Sequence, residues 1–90
     1  DHYSFTASES EYVTVTLVPE KQLDAFDLTI SDGEGKVLFQ SKSQQSVDWA
    51  QLRVKAGTKL KASVRLKQHH HWLSPSYRLI VTGSTQYVKE

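Results

Sequence analysis

Cysteine and methionine are both missing from this chain of 90 residues. Without cysteine there is no disulfide framework, no thiolate metal ligand and no thiol nucleophile, so an apolar core must supply the stability. The same absence leaves the redox compartment open, because a packed β-domain needs no bridge inside or outside the cell. Repeats, low-complexity tracts and linkers are absent too. So is a dominant charge: 11 Lys and Arg face 10 Asp and Glu for a net +1, which predicts neither a polyanion-binding nor an acid-rich domain. No apolar run approaches the roughly 18 residues that span a bilayer. The opening Asp1-His2-Tyr3-Ser4 has no basic start followed by an apolar run, although a leader removed ahead of Asp1 is compatible with it. The length fits a single domain over residues 1–90, near the lower end of what folds unaided.

What the chain does have is period-two alternation, the mark of strands with one buried and one wet face. Tyr3, Phe5 and Ala7 alternate with polar neighbours, as do Val13, Val15 and Leu17 until Pro19 removes a backbone donor. Phe26, Leu28 and Ile30 form a third strand. Asp32-Gly33-Glu34-Gly35 then joins it to Lys36–Gln40 as a hairpin, with glycine at both positions open to positive φ. Val47 and Trp49, then Leu52 and Val54, make a fifth strand with a phase slip at Ala50-Gln51 that suits a bulge. This phase puts Trp49 in the core. The spacing of Val47, Ala50 and Val54 also admits a helix.

Leu60, Ala62, Val64 and Leu66 alternate unbroken with Lys59, Lys61, Ser63, Arg65 and Lys67, which fixes an inner face for this strand. Tyr77, Leu79 and Val81 mark the last clear strand, and Thr85 to Glu90 is either an edge strand or disordered. Seven to eight short strands with regular turn signals predict an all-β fold, an antiparallel β-sandwich of jelly-roll or immunoglobulin-like type.

The order of these motifs resembles the bacterial pre-peptidase C-terminal domain, a secreted β-sandwich module related to the collagen-binding domains of clostridial collagenases. The resemblance covers most of the chain. It is carried by Asp1-His2-Tyr3-Ser4-Phe5-Thr6-Ala7, by Leu23 to Leu38 with its Asp32-Gly33-Glu34-Gly35 turn, by Ala56-Gly57-Thr58, and by Tyr77-Arg78-Leu79-Ile80-Val81. Asp24 and Asp27 stand one residue further apart than the family's aspartate pair, and residues 68–76 are longer than its plain turn. The resemblance implies a secreted or periplasmic accessory domain beside a parent enzyme, often a protease. Such a domain aids secretion or folding, or attaches the enzyme to an insoluble substrate, and performs no catalysis.

His69-His70-His71-Trp72 is the chemically loudest segment, since imidazoles ligate Zn, Cu or Ni. In an extended strand His70 points away from His69 and His71, so only the latter two share a face. The plain alternative is a solvated hairpin end. Trp72, with Tyr77 and His70, could form an aromatic platform for a protein or polysaccharide surface, or Trp72 could simply cover the end of the sandwich. Asp24, Asp27, Asp32 and Glu34 gather oxygen ligands suited to Ca, yet Asp and Gly belong in turns for conformational reasons alone.

Lys59, Lys61, Arg65 and Lys67 form a basic stripe that reads as a wet face, and without outward aromatics between them nucleic acid is not an expected partner. No Gly-x-Ser-x-Gly elbow or His-Glu-x-x-His helix is present, and a sandwich this small rarely offers the cleft that a carboxylate pair needs. The expectation is therefore a non-catalytic domain. It either docks on a protein or polysaccharide surface, or acts as a structural spacer or intramolecular chaperone, or holds a transition metal at its histidines.

Overall fold

The computed structural model describes residues 1–8, 12–20, 25–41, 48–68 and 76–90. Eight strands run through them: β1 (His2–Thr6), β2 (Tyr12–Pro19), β3 (Ala25–Asp32), β4 (Val37–Gln40), β5 (Asp48–Arg53), β6 (Lys59–Gln68), β7 (Tyr77–Thr82) and β8 (Val88–Lys89). They form two antiparallel sheets, ordered β4-β3-β6-β1-β8 and β5-β2-β7, arranged as a sandwich. Only the β3–β4 hairpin stays within one sheet. Every other connection carries the chain to the opposite layer, so both layers are completed together and each strand's apolar face has a partner. No helix among the described residues is long and apolar enough to cross a membrane.

The alternation read from the sequence becomes the core directly. Phe5 of β1, Leu28 and Ile30 of β3, and Leu60, Ala62 and Val64 of β6 face Val13, Val15 and Leu17 of β2 and Leu79 of β7 across the gap. Leu17, Leu28 and Ile30 are the largest of the fully buried side chains, each contributing about 1.5–3 kcal/mol by leaving water. The β3–β4 turn is shaped by Asp32, whose Oδ1 accepts from the Glu34 and Lys36 amides at 2.9 Å each. Gly35 alone in this turn takes a positive φ, 89°; Gly33 needs none.

Three expectations change. The register of β5 on β2 runs unbroken from Leu17↔Asp48 to Tyr12↔Arg53, so there is no bulge at Ala50-Gln51 and no helix over the described part of that segment. Asp48 and Ala50 point inward, which turns Trp49 outward to 62% exposure instead of into the core. The pairing with β2 decides this: Ala50 sits opposite buried Val15 on the inner face, so Trp49, opposite Thr16, faces out. Leu66, in phase with the inner face of β6, is nevertheless 42% exposed. Beyond His2↔Ser63 only Asp1 still borders β6 on that side, exchanging backbone bonds with Val64 at 2.8 and 2.9 Å, so among the described residues Leu66 has only β3 beside it. The tail resolves as an edge strand, with β8 pairing Lys89 to Tyr3 and Val88 to Ser4.

Candidate functional site

The segment holding His69, His70, His71 and Trp72, and also Asp24, lies outside the described residues. Tyr77 and, of the proposed oxygen ligands, Asp27, Asp32 and Glu34 lie among the described residues, with Asp32 Oδ1 accepting from the Glu34 and Lys36 amides of its turn. Tyr77, at the start of β7, turns into the gap between the sheets, edge-on to Phe26 at a 5.0 Å centroid separation and to Tyr3 at 6.3 Å. Its hydroxyl donates to Asp1 Oδ2 at 2.6 Å and accepts from the Tyr3 hydroxyl at 2.5 Å, because its single proton is committed to the carboxylate. Burial, and then the hydrogen bond with Tyr3, push this hydroxyl far above its ordinary value of 10.0. Asp27 is on the outer face of β3, 3.4 Å from Arg65 Nη2. No cluster of three metal-ligating side chains occurs among the described residues.

The outer face of the five-stranded sheet is polar and clefted. Strand register sets its rows: His2, Ser63, Thr29 and Gln40 lie side by side across four strands, with His2 Nδ1 2.9 Å from Ser63 Oγ. A cleft of about 340 Å³ opens along this row. A larger one, about 550 Å³, lies between the β3–β4 turn and residues 85–88, lined by Ser4, Thr6, Ser31, Asp32, Lys59, Lys61 and Gln86 among others. Opposite charges are paired on this face, as in Lys61–Glu90 at 3.3 Å and Arg65–Asp27. The basic stripe is thus broken up by acids, as a wet sheet face is.

The outer face of the three-stranded sheet is different in kind. One row aligns Trp49, Thr16 and Ile80, and the next aligns Gln51, Thr14 and Thr82. Tyr12 lies beside Arg53, and Val18 beside Arg78. Trp49, Tyr12 and Ile80 are all exposed. Among the described residues of these strands the outward charges are both arginines; the one carboxylate, Asp48, is buried on the inner side. The face thus carries Trp49, Tyr12, Ile80, Val18 and two arginines among threonines and Gln51, without lysine, aspartate or glutamate among the described residues of these strands.

Trp49 is the residue that sequence reasoning missed. The signal for it was present: Ala50, Leu52 and Val54 share one phase, whereas Val47 was the single neighbour arguing for the other. With the faces laid out, comparison with known proteins adds no identity, since no protein-family model, curated protein or solved structure matches the chain.

Proposed function

We propose that this is a non-catalytic accessory domain that docks on a protein or polysaccharide surface through the outer face of its three-stranded sheet. The observation that carries the reading is Trp49, exposed to 62% on an outer sheet face shared with Ile80, Tyr12, Arg53 and Arg78. An indole in water is an unspent source of affinity, because covering it removes a large apolar area and costs little side-chain entropy. A small molecule needs a concave site, whereas an exposed aromatic beside arginines on the outside of a sheet suits a macromolecular surface. The motif order resembling the pre-peptidase C-terminal domain supplies the setting, a module beside a secreted or periplasmic enzyme. It also makes that parent enzyme a further candidate surface for the same face.

The test is co-sedimentation of the full chain with insoluble collagen, cellulose and chitin, comparing Trp49→Ala and Trp72→Ala variants. Retention on one of these that falls at least tenfold in Trp49→Ala, the effect of losing about 1.4 kcal/mol, supports the reading. Retention lost only in Trp72→Ala would move the site to the segment outside the described residues. Retention that ignores both tryptophans, or none on any surface, overturns it.

A further inference from the structure

Strands β1 and β6 place a hydroxyl opposite an ammonium twice in succession: Ser4 faces Lys61, and Thr6 faces Lys59. All four side chains lie on the outer face, and the two rows are about 7 Å apart, one pleat repeat. The first pair already holds a carboxylate. Ser4 Oγ donates to Glu90 Oε1, and Lys61 Nζ lies 3.3 Å from Glu90 Oε2. These two contacts hold the Glu90 carboxyl below its ordinary value, the Ser4 hydrogen bond being the larger cause.

The second pair has the same register and no carboxylate on it. Neither the Thr6 hydroxyl nor Lys59 Nζ has an ion-pair or side-chain hydrogen-bond partner among the described residues; the neighbouring Thr85 Oγ1 accepts instead from the Thr6 backbone amide, at 3.0 Å. Both side chains line the cleft of about 550 Å³, a volume within the range that receives a drug-sized ligand. Asp32, the one carboxylate in that lining, is directed into its own turn by the Glu34 and Lys36 amides.

We propose that Thr6 and Lys59 anchor the carboxylate of an acidic ligand whose body fills this cleft, as Ser4 and Lys61 anchor Glu90. The site is on the opposite layer from Trp49 and stands independently of the docking face. An exposed ion pair is weak in water, so the anchor alone does not make a site. The cleft walls must add contacts, and Ser31 and Gln86 offer a hydroxyl and an amide for the ligand's own polar groups. The carboxylate can come from an acidic sugar or from a glutamyl side chain, and the chemistry at the anchor is the same for both.

The experiment titrates the full chain, followed by backbone amide resonances, with D-glucuronate, with N-acetyl-L-glutamate amide, and with D-glucose as the neutral control. Expected are shifts at Thr6, Lys59 and Ser31 with at least one acid, at least tenfold weaker in Lys59→Gln and in the near-isosteric Thr6→Val. The acid that binds more tightly identifies the source. Glucose shifting the same amides equally, affinity unchanged in both variants, or no shift with either acid overturns the proposal. A second variant tests the equivalence of the two rows. Glu90→Gln vacates Lys61, so the acid that binds must now shift Ser4 and Lys61 as well; silence there, with Thr6 and Lys59 still responding, overturns the analogy on which the anchor rests.

Discussion

The Tyr77 hydroxyl lies 2.6 Å from Asp1 Oδ2 and so joins two residues 76 positions apart in the chain. Asp1 also approaches Lys89 Nζ at 3.8 Å, and Tyr3 stacks edge-on against both Tyr77 and Tyr87. The first strand, the last strand and the start of β7 thus meet at one end of the sandwich. Burial of the hydroxyl, and next its hydrogen bond with Tyr3, account for why this tyrosine resists ionisation.

The sign of the resulting pH dependence follows. In the unfolded chain Tyr77 loses its proton near 10.0, whereas in the folded chain it keeps it to much higher pH. Above that point the unfolded state binds fewer protons, so stability present at neutral pH is lost as pH rises. Denaturant midpoints between pH 8 and 11 should fall, and Tyr77→Phe should flatten the fall. At neutral pH the same variant should cost about 1–2 kcal/mol, because the Tyr3 hydroxyl and Asp1 lose a partner. A variant whose pH profile matches the parent's would show that another group controls it.

Gly83 follows β7 with φ at 80°, and its backbone runs against the start of β2. A Cβ there would stand 2.1 Å from the Tyr12 carbonyl oxygen, a backbone atom that cannot move aside without displacing β2. Gly83→Ala should therefore destabilise the domain by more than about 2 kcal/mol, combining an unfavourable φ with overpacking. Gly57 also has a positive φ, 88°, but a Cβ there meets nothing, so Gly57→Ala should cost only about 1 kcal/mol. Thermal melts of the two variants check the order, and equal losses would show that the contact with Tyr12 relaxes.

Strand β8 is short, and Glu90 ties it down through Ser4, Lys61 and a backbone bond from its amide to the His2 carbonyl at 2.8 Å. The carboxyl is held below its ordinary 4.5, so this stabilisation is complete above that value and disappears as pH falls through the lower folded-state value. Hydrogen exchange at the Glu90 amide should quicken as pH falls below 4.5 and through the lower folded-state value, relative to its intrinsic rate, while Ala62 and Leu28 stay protected. Glu90→Gln should show the faster exchange already at pH 7. Uniform loss of protection across the sheet at low pH would mean that the domain opens as one unit instead.

Much of this architecture could be read from the chain because its strands carry their faces in their own alternation. Leu60, Ala62 and Val64 needed no partner to declare an inner side, and Asp32 with Gly35 declared a turn. What was not legible depends on pairing. The phase of β5 is decided by Val15 opposite Ala50, the exposure of Leu66 by where β1 stops, and the hydroxyl–ammonium rows by the register of strands more than 50 residues apart. Local pattern leaves the phase of β5 divided between Val47 and the run of Ala50, Leu52 and Val54, and contains nothing of the other two, since each arises from a neighbour that only the folded chain brings near. Tyr77 shows the same limit: the sequence offered it to an aromatic platform with Trp72, and only its contacts with Phe26, Tyr3 and Asp1 show it turned between the sheets.

If Trp49 is held on the surface for binding, its removal must leave the fold intact. Its side chain is mostly in water, so Trp49→Ala should change stability by no more than about 0.5 kcal/mol, as surface substitutions do. Leu28→Ala, at a fully buried position on the other layer, should cost about 2–5 kcal/mol by leaving a cavity. Chemical denaturation of the two variants separates the cases. A loss in Trp49→Ala approaching that in Leu28→Ala would mean the indole packs into the domain, for instance beneath part of the chain outside the described residues. The docking face would then lose its centre. Near-neutral stability together with lost retention on a surface would assign the exposed indole to recognition, because nothing in folding would require it.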